Sequence, residues 1–346
     1  MSGSAARLLP RVSRLAAFAV AVCFVRPPPA AADPPDLSPP DDQPAAAATT
    51  IERLQNLDAT EQLLHGDDVA SDEEGHLLVK ATYERGVHPK VRFRVTLSTP
   101  DGGTIEGLLK VKQQNYRDWV GELFSYRLGR ALGIRLTPTV DRCFPRSVLD
   151  IGLADQPAEV AELVTWEGEG DETHACGSFT YWVPEFQFKI GPLASLPETF
   201  DTLTGWMGPN NRDWVAGSQP LRDLTAVFLL DFLVFNEDRP HNVGSVRFPD
   251  TDVQLLVAID FGDSLYSPSR RDVQCRRWLW RIKVFPETLV DSLRNLDADA
   301  LRSLLSAEVF GATLDDDIVD AVLDRREQAL ARIDELVAAH PDDTLY

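Results

Sequence analysis

The first half of the chain alternates apolar and polar residues with a period of two. Three segments carry β-branched and apolar residues in this pattern, which is typical of strands: residues 76–83, 90–97 and 104–112. Turn-forming residues separate them at Arg85-Gly86 and at 100–103. The pattern predicts an antiparallel three-stranded meander.

One helix lies on each side of this meander. Residues 50–65 predict a short helix before it, and residues 117–132 predict a longer one after it, because apolar residues recur there at helical spacing up to Gly133. Two further strands are predicted at Thr139–Arg142 and Ser178–Val183. The stretch between these strands is mixed and includes a polar loop.

The second half of the chain is predominantly helical in pattern. Residues 221–235 are apolar on most faces, which predicts a buried helix. A polar loop at 236–242 and a hairpin at 243–259 follow, and after Pro286 amphipathic helices continue to about His340. This order predicts an α+β fold with two lobes: an antiparallel β N-lobe with one helix, and a mainly helical C-lobe.

The first 32 residues have the three parts of an export signal. A basic leader precedes an 11-residue apolar run at 15–25, and a stretch of small residues ends at Ala32. The run is too short to cross a bilayer, which takes roughly 20 helical residues. Cys23 follows Val22, where a lipid-anchored protein would have a small residue. We therefore predict a secreted or periplasmic protein without a lipid anchor or a stable membrane span.

The predicted organisation has four parts. Residues 1–32 form the signal peptide, and residues 33–49, rich in Pro, Asp and Ala, form a disordered leader. Residues 50–184 form an N-terminal extension and the N-lobe, and residues 185–346 form the C-lobe. The oligomeric state is left open by the sequence.

The charge and the cysteines narrow the class of protein. The formal net charge is −20, and it becomes −24 when residues 1–32 are removed, so we expect no nucleic-acid partner. The remaining cysteines are Cys143, Cys176 and Cys275. Export favours one disulfide, and the sequence leaves all three pairings open. No Cys-x-x-Cys or His-Glu-x-x-His motif occurs, so we expect no zinc site.

Three polar residues after the buried helix carry the candidate chemistry. Asp238 and Asn242 lie in the polar loop, and Asp260 ends the hairpin within Ile259-Asp260-Phe261-Gly262. Carboxylate and amide oxygens are the ligands that Mg²⁺ prefers. A further carboxylate is what phosphoryl transfer uses to orient an acceptor hydroxyl and take its proton. The group therefore indicates phosphoryl transfer.

The order of these motifs resembles that of atypical kinases. Asp-Arg-x-x-Asn, a hairpin and Ile-Asp-Phe-Gly resemble the catalytic loop and metal motif of secretory-pathway kinases of the Four-jointed type, and more distantly those of phosphatidylinositol and HipA-type kinases. The strand at 107–110 and the helix at 121–134 resemble the elements that carry the nucleotide-binding lysine and its glutamate partner. Residues 177–183 resemble the strand that leads to the hinge. The resemblance covers about residues 104–335.

The resemblance implies a role for each matching residue. Lys110 would contact the α- and β-phosphates of ATP and Glu122 would pair with it. Asp238 would be the catalytic base, and Asn242 and Asp260 would hold Mg²⁺ or Mn²⁺. Lys112 is the alternative to Lys110. The family's usual spacing between the strand glycine, here Gly107, and the lysine favours Lys110. Related kinases place the metal-binding Asn five residues after the Asp, whereas here the separation is four.

Three functions remain open on this basis. The first is an exported kinase that phosphorylates a protein or glycan hydroxyl. The second is a pseudokinase that serves as a binding module, and the third is a kinase-fold enzyme that transfers AMP. Asp231, a charged residue within the buried helix, either hydrogen-bonds the catalytic loop or faces a groove.

Overall fold

The described chain begins with two helices where one was predicted. The computed structural model describes residues 45–346 except 67, 85–88, 114–116, 185, 188–206, 237–238, 240–241, 248–253, 266–271, 306–308, 310 and 312. Helix α1 is Ala45–Gln55 and α2 is Leu57–Leu64. Asn56 separates them because its side chain caps α2, accepting a hydrogen bond from the Ala59 N–H at 3.3 Å.

The first helix also begins earlier than predicted. It starts at Ala45, inside the segment 33–49 that was predicted to be a disordered leader. The signal-peptide prediction for residues 1–32 lies outside the described residues. Among the helices that the structure describes, none has the length and apolar character needed to cross a membrane.

Five antiparallel strands form one sheet in the order β1-β2-β3-β5-β4. The bounds are Val79–Glu84 for β1, Lys90–Ser98 for β2, Thr104–Val111 for β3, Thr139–Pro145 for β4 and His174–Tyr181 for β5. Strand β2 alternates fully buried apolar residues with half-buried polar ones. The predicted meander is confirmed, and β5 begins four residues earlier than Ser178.

The segment between β4 and β5 holds two helices that the sequence analysis did not predict. They are α4, Arg146–Leu153, and α5, Ala158–Leu163. The two strands are joined by a disulfide between Cys143 and Cys176, which lie directly opposite each other in the register. This selects one of the three pairings. Cys275 is buried outside the disulfide, and its thiol donates to the carbonyl of Asn236.

Helix α3, Asp118–Ala131, follows β3 as predicted. It ends where Gly133 adopts the left-handed conformation with φ of 73°, a position that glycine occupies without steric cost. Ten residues of α3 are buried, so the helix lies between the sheet and the helical part of the molecule rather than on the surface.

The second half of the chain is helical around one hairpin. The helices are α6, Arg212–Gly217; α7, Gln219–Val234; α8, Asp272–Leu279; α9, Glu287–Arg294; α10, Ala298–Leu304; and α11, Asp316–Ala339. Strands β6, Val243–Arg247, and β7, Gln254–Ala258, form the predicted hairpin. Eleven of the 16 residues of α7 are buried, which confirms the predicted buried helix. Helices α6 and α8 were not predicted.

Two hydrophobic cores meet at the hairpin. One core lies under the five-stranded sheet and includes Leu255 and Val257 of β7. The other joins α3 to the C-terminal helices and includes Leu256 and Ala258. Because successive side chains of a strand point to opposite faces, β7 contributes to both cores. Asp260, two residues after this strand, therefore lies between them.

Candidate active site

Lys110, Glu122 and Asp260 meet at the inner end of the sheet. Lys110 Nζ donates to Asp260 Oδ1 at 2.6 Å and forms an ion pair with Glu122 Oε2. Lys110 and Glu122 are 4% and 3% exposed, whereas the Asp260 side chain is 33% exposed. Asp260 is 150 residues from Lys110 in the sequence. Three different elements, β3, α3 and the turn after β7, bring the three residues together.

The turn at Asp260 is held by α3. The Phe261 N–H donates to Glu122 Oε2 at 3.0 Å. Gly121 permits this contact because a Cβ there would lie 2.9 Å from Gly262 O and 3.0 Å from Phe261 O. Asp260 itself has a φ of 55°, an uncommon left-handed conformation for a non-glycine residue that is enriched at functional sites.

The electrostatics of the group favour an ionised Asp260. Burial opposes this charge, but Lys110, Arg92 and Lys90 outweigh it, so the pKa of Asp260 lies below its ordinary value. Burial raises the pKa of Glu122, and Lys110 counteracts the rise. Burial likewise opposes the charge on Lys110, yet Asp260 and Glu122 together raise its pKa. Lys110 is therefore a fixed cation at physiological pH.

A cavity of about 410 Å³ opens beside these residues. One end is charged, with Arg92, Lys110 and Asp260. Largely apolar residues line the rest of the cavity, along β5 and the segment after it: Leu108, Thr180, Tyr181, Trp182, Val183, Phe186 and Ile259. A ligand with an apolar part and an anionic end suits this lining.

Asp231 and Arg239 form a buried ion pair under the polar loop. Arg239 is fully buried and donates through Nε to Asp231 Oδ2 at 2.8 Å and through Nη2 to Oδ1 at 3.0 Å. Its Nη1 donates to Asn242 O at 2.6 Å and Ile259 O at 2.8 Å. Burial raises the pKa of Asp231, and Arg239 opposes the rise. Of the two interpretations of Asp231, the hydrogen bond to the loop is the one observed.

No protein-family model and no curated protein matches the sequence. Solved structures do match. The crystal structure of the Golgi casein kinase aligns at a TM-score of 0.57 and 15% identity, covering 84% of this chain and 78% of that chain. With Mn/ADP bound, the Golgi casein kinase aligns at 0.57 and 14%, covering 88% and 84%. The structure of hydra Fam20 with sugar aligns at 0.56 and 14%, covering 84% and 92%.

The fold is kinase-like. The predicted resemblance to atypical secretory-pathway kinases is confirmed at the level of the fold, as is the predicted combination of an antiparallel sheet with a helical part. Identities of 14–15% establish the fold alone, so the chemistry has to be argued from the site.

Four of the five predicted site residues are among those that the structure describes. Lys110, Glu122 and Asp260 are in contact. The backbone of Asn242 is hydrogen-bonded to the residue before Asp260, because the Asn242 carbonyl accepts from the Ile259 N–H at 3.0 Å. Asp238 lies outside the described residues. The functional roles of all five stay predictions.

Lys112 has a different environment from Lys110. Its Nζ pairs with Glu167 Oε1 at 2.7 Å, and both side chains are about one-third exposed. Lys110 lines the cavity, while Lys112 lies just beyond the end of β3 at Val111. Of the two lysines, Lys110 is therefore the one that lies at the cavity.

No role was predicted for Arg92 or Arg239 from the sequence. Arg92 is directly opposite Lys110 in the β2–β3 register and lines the cavity. The alternating pattern of β2 does distinguish Arg92, because Arg92 lies between the buried residues Val91 and Phe93 and so points to the opposite face of the sheet. Arg239 is the arginine of the Asp-Arg-x-x-Asn motif, but only the fold shows that its side chain reaches Asp231 in α7.

Cys143, His174 and Cys176 form a cluster that no sequence motif indicated. Their potential ligand atoms lie within 4.8 Å of one another, because His174 and Cys176 are two residues apart on β5 and Cys143 faces Cys176 across the ladder. The disulfide occupies both sulfur atoms, so the cluster stabilises strand pairing in this form and offers no thiolate ligands.

Proposed function

We propose that this protein is an exported kinase that transfers the γ-phosphate of ATP to a hydroxyl group of a protein or glycan. The observation that carries the proposal is the contact of Lys110 with both Glu122 and Asp260 at the charged end of the cavity. A buried lysine held by a helix carboxylate, beside a partly exposed aspartate, is the arrangement that protein kinases use for phosphate and metal.

The cavity supports ATP as the ligand. Its apolar lining, with Trp182 and Val183, has the character that suits a planar base. Lys110 and Arg92 at the other end supply two positive charges for the phosphates. The bound Mn/ADP of a Golgi casein kinase structure is consistent with the same ligand class here.

Asp260 and Asn242 fit a divalent metal. Asp260 presents an ionised, partly exposed carboxylate at the cavity, and Asn242 belongs to the loop that is hydrogen-bonded to the same turn. Oxygen ligands of this kind suit Mg²⁺ or Mn²⁺. When bound, such an ion screens the charge of the transferred phosphoryl group.

Asp238 would act as the base. In that role its carboxylate orients the acceptor hydroxyl and takes its proton as the new O–P bond forms. Its neighbour Arg239 is tied to Asp231, Asn242 and Ile259, so the described part of the loop has a rigid support.

Export is supported by two independent features. The N-terminal 32 residues have the pattern of a signal peptide. The Cys143–Cys176 disulfide is of a kind that persists in oxidising compartments. The acceptor is accordingly expected among secreted or periplasmic proteins and glycans.

Labelled ATP tests the proposal. The chain without residues 1–32 is incubated with Mg²⁺ or Mn²⁺, ATP and a mixture of candidate acceptors. Label from the γ-position on an acceptor supports a kinase. Label from the α-position supports AMP transfer, and nucleotide-induced stabilisation without any transfer supports a pseudokinase.

A further inference from the structure

A buried arginine from the last helix contacts the point where α7 turns into the polar loop. Arg325 of α11 is 4% exposed, and its Nε donates to the carbonyl of Leu233 at 2.6 Å. The carbon of the Arg325 guanidinium lies 3.7 Å from the centre of the Phe235 ring. One side chain therefore contacts the end of the helix by a hydrogen bond and the first loop residue by stacking.

The end of α7 needs such partners. The last carbonyls of a helix have no partner within the helix, and here the chain leaves through Phe235 in the left-handed conformation, with φ of 59°. That conformation is unfavourable for a bulky residue unless its surroundings hold it. Val234 O accepts from the Leu265 N–H at 2.8 Å, and the preceding carbonyl, that of Leu233, accepts from Arg325.

Arg325 is itself on a rigid element. Helix α11 spans 24 residues, and Val322 and Ala329, one turn to either side on the same face, are fully buried. The guanidinium is therefore carried by a helix that is fixed in the core and is remote in sequence from the loop.

We propose that Arg325 is a positioning residue for the proposed phosphoryl transfer, because it fixes the conformation in which the chain enters the loop that carries Asp238. In the sequence, Asp238 lies between Phe235, which Arg325 holds, and Arg239, which Asp231 holds. Arg325 does not line the cavity, so it sets the geometry of the transfer step and leaves nucleotide binding unaffected. This role rests on the proposed function.

The test compares Arg325→Met and Arg325→Lys with Arg326→Met. Arg326 is the matched control, since it is on the same helix and also donates to a backbone carbonyl, that of Leu296, at a site away from the loop. Methionine preserves most of the buried volume but removes the charge, the donors and the planar face. Lysine restores the charge and places donors on a single nitrogen, without the planar face.

Arg325→Met is expected to lower kcat by about 10–100-fold, the size of effect that a small misplacement of a reacting group produces. The KM for ATP and the rise in Tm on adding Mg-ATP should change by less than twofold. Arg325→Lys should recover part of kcat, and Arg326→Met should match the wild type. Wild-type kcat in Arg325→Met, or parallel losses in nucleotide binding and turnover, would overturn the proposal.

Hydrogen exchange supplies a readout that does not depend on activity. The backbone amides at 233–239 should exchange faster in Arg325→Met than in the wild type, with exchange in β3 and α3 unchanged. Unchanged exchange at 233–239 would overturn the positioning role, whether or not the wild type has transferase activity. A wild type without transferase activity would by itself refute only the proposed function. If Arg325→Met does not fold, the same comparison is made with Arg325→Lys.

Discussion

Removal of Arg239 should destabilise the protein far more than removal of an exposed arginine. In Arg239→Met, the carboxylate of Asp231 stays buried and loses three hydrogen bonds from the guanidinium. The carbonyls of Asn242 and Ile259 lose their donor as well. Breaking a buried ion pair in this way typically costs about 3–5 kcal/mol.

That cost is large compared with the total stability of a domain, which is roughly 5–15 kcal/mol. The unfolding entropy is about 2.1 cal/mol/K per residue, so a chain of 346 residues loses roughly 1.4 °C in Tm per kcal/mol. The expected decrease is therefore about 4–7 °C. Urea unfolding measures the change in free energy of unfolding and thermal unfolding measures the change in Tm. Both are monitored by circular dichroism with the disulfide intact.

Two further variants establish the cause. Arg146→Met removes a half-exposed partner of Asp150 and should cost about 1 kcal/mol or less. The double variant Asp231→Leu with Arg239→Met removes both charges, and should be more stable than Arg239→Met alone because no unpaired charge stays buried. A loss in Arg239→Met no larger than that in Arg146→Met would refute this reasoning.

Three further predictions concern Asp260 and its turn. Asp260→Asn should fold, since the change is nearly isosteric, but should lose the rise in Tm that Mg-ATP produces in the wild type; an unchanged rise would exclude Asp260 as a metal ligand. Gly121→Ala should also weaken this rise, because its Cβ would lie 2.9 Å from Gly262 O, whereas Gly217→Ala, with no atom within 4 Å, should not. The pKa of Asp260 is held below its ordinary value of 3.8, so its ionised form stabilises the fold above that pH and this contribution is lost as the pH falls through the folded-state pKa. The difference in free energy of unfolding between the wild type and Asp260→Asn should therefore narrow below about pH 4, and a difference that is constant with pH would contradict this.

Much of the fold could be predicted from local patterns. Strands β2 and β3 and helices α3 and α7 have a clear period in the sequence, and each was found within a few residues of its predicted bounds. Helix α6, with six residues, and helix α8, with a strongly polar sequence, lack a clear apolar stripe and were not predicted. The break at Asn56 depends on one capping hydrogen bond, which a periodic pattern does not register.

The candidate site was predictable only in part, for a similar reason. Lys110, Glu122 and Asp260 lie in motifs whose order resembles that of known kinases, and the structure brings them into contact. Arg239 and Arg325 act through contacts between residues 8 and 92 positions apart. Such contacts depend on how the helices pack, and a single sequence contains no periodic signal for them.

The most direct test of the proposed kinase activity is transfer of label from ATP to an acceptor. The chain without residues 1–32 and its Asp238→Ala variant are each incubated with γ-labelled ATP, Mn²⁺ and a secreted acceptor mixture, and nucleotide binding is measured on the same samples. We expect label on an acceptor with the wild type, and a loss of about 10²–10⁴-fold in Asp238→Ala with nucleotide binding retained. Equal transfer by both proteins, or no transfer by a wild type that binds ATP, would contradict the proposed kinase activity with Asp238 as its base.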